Sequence, residues 1–315
     1  RSLEHLKVKF QKAHNLKKLK NPGLAPSLEV IETHLHHSIT ATQYARANFI
    51  KQNLKSLGAI CLSCHTQIEK SSFYEESRVL ENQERFFKTP LQKAEFLFLT
   101  RNYQKAREEL KNSISSRNST NDNLEAIDHL KSLHLQVQLD PNSLQADLKE
   151  IQSEKSLTHP VRYQIKKALE NLKPWKNFDF NILADKRLQE FIDHYLKDSL
   201  EGSFYGQNLN EEGLLISSGI LYKFLQKRAD SPSVPKVYLW LSRIDSQLNN
   251  DYLYSLSDIY LKKCIYNYKS SPSAHDCYKE YRKNMILGFS GSGGTFIPED
   301  IKKELKKLKD FLEEK

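Results

Sequence analysis

Turn-forming clusters punctuate this chain at short, fairly even intervals. Lys88-Thr89-Pro90, Asp140-Pro141-Asn142, Lys173-Pro174, Glu201-Gly202-Ser203 and Asp230-Ser231-Pro232 are the clearest. Between them apolar residues fall at helical spacing, and long alternating strand patterns are hard to find. The chain has only 10 Gly and 10 Pro in 315 residues, and Lys, Leu, Glu, Gln and Ser dominate it. That balance favours helix almost throughout and predicts an all-α fold. A hydrophobic share of 38% is low for one compact core but enough for an elongated helical array, whose layers all lie near solvent.

The spacing predicts helices over 76–87, 91–100, 103–116, 122–137, 143–153, 160–172, 181–198, 211–228, 234–248, 252–269, 274–287 and 298–313. Ahead of them, 1–20 reads as a basic amphipathic helix and Ser27 caps a short helix through about residue 38. Thr40-Ala41-Thr42-Gln43 matches a capping box, so a new helix is expected from residue 41 toward Cys61. The stretch 288–294 (GFSGSGG) lacks the Gly-Lys-Ser/Thr of a phosphate loop and follows a helix rather than a strand. It reads as a flexible link.

One recurrence points to repeats. Ser231-Pro232-Ser233 with Tyr238 returns as Ser271-Pro272-Ser273 with Tyr278, at an offset of 40 residues for all four positions. A fixed period in this range marks a helical solenoid. Each Pro is expected to start a helix, and the two tyrosines to be buried equivalently, with Trp240 and Tyr222 nearby. The segment Ala94 to Leu110 (AEFLFLTRNYQKAREEL) resembles the helix-turn-helix of a tetratricopeptide repeat, with Tyr103 and Ala106 at the start of its second helix. Residues 220–285 resemble the longer repeats of outer-membrane-assembly lipoproteins. These resemblances imply a tetratricopeptide-like α-solenoid over 81–315 whose concave surface docks a protein.

The residues that carry chemistry are Cys61-Leu62-Ser63-Cys64-His65, the C-x-x-C-H pattern of covalent haem attachment. Two thiols three positions apart suit the two vinyl groups of haem, and the following imidazole meets the iron. With 4 Cys and 11 His in the chain, the pattern is expected by chance on the order of 0.002 times. A thioredoxin-type pair would need a strand–helix context. Zinc could take His34, His36, His37 or His65 beside the two thiols, but no second pair follows at finger spacing. A disulfide within C-x-x-C would be strained. The segment Asn53 to Lys70 (NLKSLGAICLSCHTQIEK) resembles the last helix of the cytochrome c-prime and c556 families. The resemblance implies a helical domain over 1–80 holding one haem c through Cys61, Cys64 and His65. The c556 branch has a Met ligand on its first helix, whereas here the single Met is Met285. That leaves the second axial position open, with His129 and His134 on faces too different for both to reach it.

The other two cysteines, Cys264 and Cys277, sit in consecutive predicted helices with a turn at 270–273 between them. Antiparallel packing places them side by side as a disulfide, with two buried free thiols as the alternative. A haem pair and a disulfide pair both need an oxidising compartment, periplasmic or otherwise extracytoplasmic, peripheral to a membrane. The chain begins at Arg1 rather than Met, as after removal of a leader or trimming, so export rests on the cysteines. No apolar run approaches the ~20 residues of a membrane span. The net charge of +9 suits solvated helix faces and an acidic protein partner. There is no arginine-rich groove and no aromatic RNA-binding signature, so nucleic acid is not expected. No paired-carboxylate or nucleophile motif marks an enzyme. Three functions follow: an electron-transfer or haem-binding cytochrome with a docking scaffold; an envelope assembly protein whose haem is structural or senses redox state or a gas; or a haem enzyme such as a peroxidase, against which the single C-x-x-C-H motif counts, since di-haem peroxidases need two.

Overall fold

The computed structural model describes residues 25–43, 87–114, 118–154, 157–200, 210–248 and 256–314, with Glu4 and Val8. The expectations for 1–20 (apart from Glu4 and Val8), 41–61 beyond Gln43, 53–70 and 76–86 lie outside those residues. The described residues form an all-α fold with one two-stranded piece.

α1 is a single helix, Ala25–Gln43. It runs straight through the expected break at Thr40. The Thr40 hydroxyl donates backward to the His36 carbonyl and Thr42 to the Ile39 carbonyl, so both satisfy the helix they sit in rather than capping a new one. α1 buries Ile31 and Leu35 and packs on α10 (Leu256–Asn267), far away in sequence.

α2 (Pro90–Leu99) starts where the turn signals ended the preceding segment. Thr89 accepts from the Gln92 N–H, and Pro90 occupies the first helical position, where a missing N–H costs nothing. It stops in a Schellman turn. The Asn102 N–H reaches the Leu97 carbonyl and the Arg101 N–H the Phe98 carbonyl, with Arg101 left-handed at φ 61°. α3 (Tyr103–Ser113) returns antiparallel and buries Tyr103, Ala106 and Leu110. The Phe98 and Tyr103 rings meet edge to face at 5.7 Å.

α4 (Thr120–Ser132), capped by Ser119, widens into a π-helical segment over Leu133–Gln138. Its carbonyls face Gly219 of α8 (Glu211–Lys227), where a Cβ would stand 2.8 Å from the Gln136 oxygen and 2.9 Å from the Leu135 oxygen. Only glycine permits that approach. Beside it the Gln136 amide donates to Ser218 Oγ. Asp140 then caps α5 (Pro141–Gln152) through the Ser143 N–H. α6 is His159–Asn171. α7 begins at Asp185 rather than 181, because Asp179 accepts from the Asn181 N–H and from Arg187 and holds an extended approach. It runs over Asp185–Phe191, Ile192–Leu196 and Lys197–Leu200, its middle again π-helical.

α9 (Val234–Gln247) and α11 (Pro272–Gly288) carry the two Ser-Pro-Ser copies, and the copies differ. Ser231 and Ser271 each accept from the N–H two residues on, so the hydroxyl turn is shared. Pro272 opens α11, but Pro232 lies before α9, which takes Pro235 in its first turn instead. Tyr238 is therefore the fifth residue of its helix and Tyr278 the seventh, about 200° apart around a helix. Tyr238 is fully buried and Tyr278 only half-buried, so the expected equivalence fails. Trp240 and Tyr222 are buried as expected. The glycine-rich stretch forms a small hairpin, β1 (Ser290–Gly291) with β2 (Gly294–Thr295), in place of an irregular link. Gly294 turns it at φ 107°, and Ser290 and Thr295 hydroxyls meet at 2.7 Å. α12 (Glu299–Glu313) closes the described chain on Leu305, Leu308 and Leu312.

Many helices pack on the next helix and the next but one, α2 on α3 and α4, α4 on α6, α9 on α10 and α11, while the π-helical end of α4 packs on α8 and α1 on α10. Several side-chain bonds follow the same spacing. Arg107–Asp147, Lys111–Glu150, Thr120–Thr158, Asn171–Glu212, Tyr222–Tyr260 and Arg243–Glu280 are separated by 40, 39, 38, 41, 38 and 37 residues. Each joins a helix to its counterpart one pair later. The stacking unit is thus a helix pair of about 40 residues, longer than the roughly 34 of a tetratricopeptide repeat.

Candidate functional site

The haem-attachment residues Cys61, Cys64 and His65 lie outside the described residues. Of the nearby histidines, His36 is exposed and His37 half-buried on α1, with rings 5.8 Å apart. His129 and His134, five apart, point to different partners, as their spacing requires.

His134 sits in the π-helical segment and is fully buried. Its Nε2 lies 2.9 Å from Asp147 Oδ2 on α5. Arg107 of α3 grips the same carboxylate in a two-toothed arrangement, Nε to Oδ2 and Nη2 to Oδ1, both at 2.7 Å. Lys111, one turn on, stands 3.5 Å from Oδ1 and 2.6 Å from Glu150. Burial pushes the Asp147 carboxyl up, but hydrogen bonds from His134 and Arg107, with the guanidinium charge beside it, outweigh it and hold it far below the usual carboxylate range. An imidazole aligned by a carboxylate is a unit used in acid–base catalysis. Here both are 1% exposed or less, so the pair registers α3, π-segment and α5 rather than meeting a substrate.

Lys131 is the second buried charge. Its side chain is fully covered, with the ammonium 2.8 Å from Asp128 and from Glu211 and 3.7 Å from Glu212. Burial works against the charge, yet the three carboxylates raise the ammonium above its ordinary value. His129, on a neighbouring face, lies 3.3 Å from Glu95 Oε1 of α2, with Glu125 in the same group.

Cys264 of α10 and Cys277 of α11 come together in the core, sulfurs 2.13 Å and Cα atoms 6.3 Å apart. Both are fully buried beneath the Pro235 carbonyl of α9. Sequence reasoning missed the Arg107–Asp147–His134 and Lys131 clusters. The signal for the first was the pairing of Arg107 and Lys111, four apart, with Asp147 and Glu150 about one repeat later. Comparison with protein-family models, curated proteins and solved structures finds no match for this chain.

Proposed function

We propose that this chain is an extracytoplasmic, monohaem c-type cytochrome that transfers electrons or holds haem, with its helical pairs serving as a scaffold that docks an acidic protein partner. The observation that carries this reading is the sequence Cys61-Leu62-Ser63-Cys64-His65. Its donor set fits haem c: two thiols to form thioethers and one imidazole for the iron. Haem bound there would supply one-electron chemistry, and the chain's part would be to fix the group, shield it and set its axial ligation.

Two further observations support the reading. The Cys264–Cys277 pair suits an oxidising compartment. The net charge of +9 favours an acidic docking surface on the partner. Among the described residues no helix is long and apolar enough to cross a membrane.

The test is expression with the cytochrome c maturation machinery. The haem stain should persist through denaturing electrophoresis, and acid–acetone should leave the haem on the protein. Haem extracted by acid–acetone would overturn the covalent assignment. A low-spin spectrum of the reduced protein is the expected result for electron transfer. A high-spin spectrum that shifts with carbon monoxide would turn the function toward gas sensing.

A further inference from the structure

The geometry points to a transition-metal site, with zinc as its reference ion, formed by Glu95 of α2 and by Glu125 and His129 of α4. Glu125 and His129 are four residues apart and share a helical face. Glu95 approaches them from the antiparallel pair that precedes α4. One ligand atom from each of the three lies within 4.8 Å of the others. The pair nearest to its final geometry is His129 Nε2 and Glu95 Oε1, 3.3 Å apart. Two bonds of about 2.0–2.1 Å meeting at a tetrahedral angle span about 3.3–3.4 Å, so an ion fits between these atoms as they stand. The Glu125 carboxylate lies within 4.8 Å of both and would move inward to close the third bond.

The donors select the ion. One imidazole nitrogen and two carboxylate oxygens favour borderline ions such as zinc over magnesium or calcium, which take oxygen-only shells. Partial cover serves entry and retention together: the His129 side chain is 21% exposed and that of Glu95 35%. Three protein ligands leave a fourth position for water. The ion would also tie α2 to α4. The three ligands share no residue with the Cys61–His65 motif, and the proposal does not rest on haem binding.

The experiment is a calorimetric zinc titration of the full chain with Cys61 and Cys64 blocked, by haem attachment or by alkylation, so that their thiols cannot take the ion; it is repeated with His129→Ala, Glu95→Gln and Glu125→Gln. Circular dichroism and metal-free melting check that each variant is folded, and the near-isosteric glutamines keep the test available if His129→Ala is not. The parent should bind one zinc and gain in Tm with it. His129→Ala and at least one glutamine variant should bind at least about tenfold more weakly. Undiminished binding in His129→Ala, undiminished binding in both glutamine variants, or no binding by the parent at sub-millimolar zinc would each overturn the site.

Discussion

Between α3 and α6 the interfaces bury charge; between α8 and α11 they bury phenol rings and sulfur. In the first region Asp147, His134 and Lys131 are fully covered, with Arg107 and Lys111 reaching in from the rim. In the second the largest covered groups are Trp240, Tyr238, Tyr260, Tyr281 and Phe224, with Cys264 and Cys277 buried among them. The same two-helix geometry is thus fastened in two ways. Directional charged bonds fix register, but they are costly to break on one side only. Apolar area and a short cross-link tolerate loss of any one polar atom better, because few charges are stranded.

The sharpest way to break this contrast is at Asp147. Asp147→Ala removes the buried acceptor of His134 and leaves the inner edge of the rim guanidinium of Arg107 without its partner. It should cost about 3–5 kcal/mol in urea unfolding, the range for removing one partner of a buried ion pair. A loss below about 1 kcal/mol would mean the charges are not fastening that region.

Titration should separate the regions by sign. Asp147 is held far below its ordinary value, so its contribution is present above about pH 4 and is lost as pH falls below that. Asp258 of α10 behaves oppositely. Burial raises its carboxyl to about 6, with Glu304 adding to the rise and Lys262 opposing it. Its contribution is present below about pH 4 and is lost as pH climbs to about 6. Asp147→Asn should therefore flatten the acid limb of the stability profile, and Asp258→Asn should remove a loss between about pH 4 and 6. Profiles that change in the same direction would refute the assignment.

Much of the helix pattern was legible because helix ends are local events. Thr89-Pro90 and Asp140-Pro141 mark starts through their own side chains and rings, and α8, α9 and α12 fall within a residue or two of their expected limits. Cys264 and Cys277 were legible for the same reason, with one turn between them. Face assignment was not. The Ser-Pro-Ser recurrence reproduced a turn, yet a two-residue difference in where the helix begins rotates Tyr278 away from the place Tyr238 holds. Lys131 reads as another solvated lysine until α8 brings Glu211 and Glu212 over it. The docking of α1 on α10 depends on contacts more than 200 residues apart, which no local pattern encodes. Of the candidate site, the cysteine pair was visible in advance, whereas Glu95, Glu125 and His129 converge only through the α2–α4 packing.

In the C-terminal region the largest single effect should come from the cysteines. They close a loop with a sequence separation of 13. Replacing both with serine should cost about 3 kcal/mol in the chain-entropy model. Chemical denaturation with and without a reductant measures the same quantity on the parent, and reductant should leave the Asp147→Ala difference unchanged. A smaller effect is expected at Tyr222 and Tyr260, whose hydroxyls meet at 3.0 Å in the core. Tyr222→Phe removes one neutral hydrogen bond and should cost about 1 kcal/mol. In a double-mutant cycle with Tyr260→Phe the coupling should be of that order, well under the cost at Asp147.

The smallest effect is the most informative about why the regions differ. Lys302 and Glu299 of α12 stand 2.7 Å apart, the same separation as Arg107 and Asp147. If distance alone set the worth of an ion pair, Glu299→Gln and Asp147→Asn would be comparable. Glu299 and Lys302 are more than half exposed, whereas the Asp147 side chain is 2% exposed. Water already solvates the exposed pair, salt screens it, and holding two long side chains together costs entropy. Glu299→Gln should therefore shift stability by no more than about 0.5 kcal/mol, and that shift should vanish in high salt. Glu299 also lies in the first turn of α12, where a negative charge meets the positive end of the helix dipole, and this adds only a few tenths of a kcal/mol. An effect at Glu299 approaching that at Asp147 would show that pairing, and not burial, distinguishes the two regions.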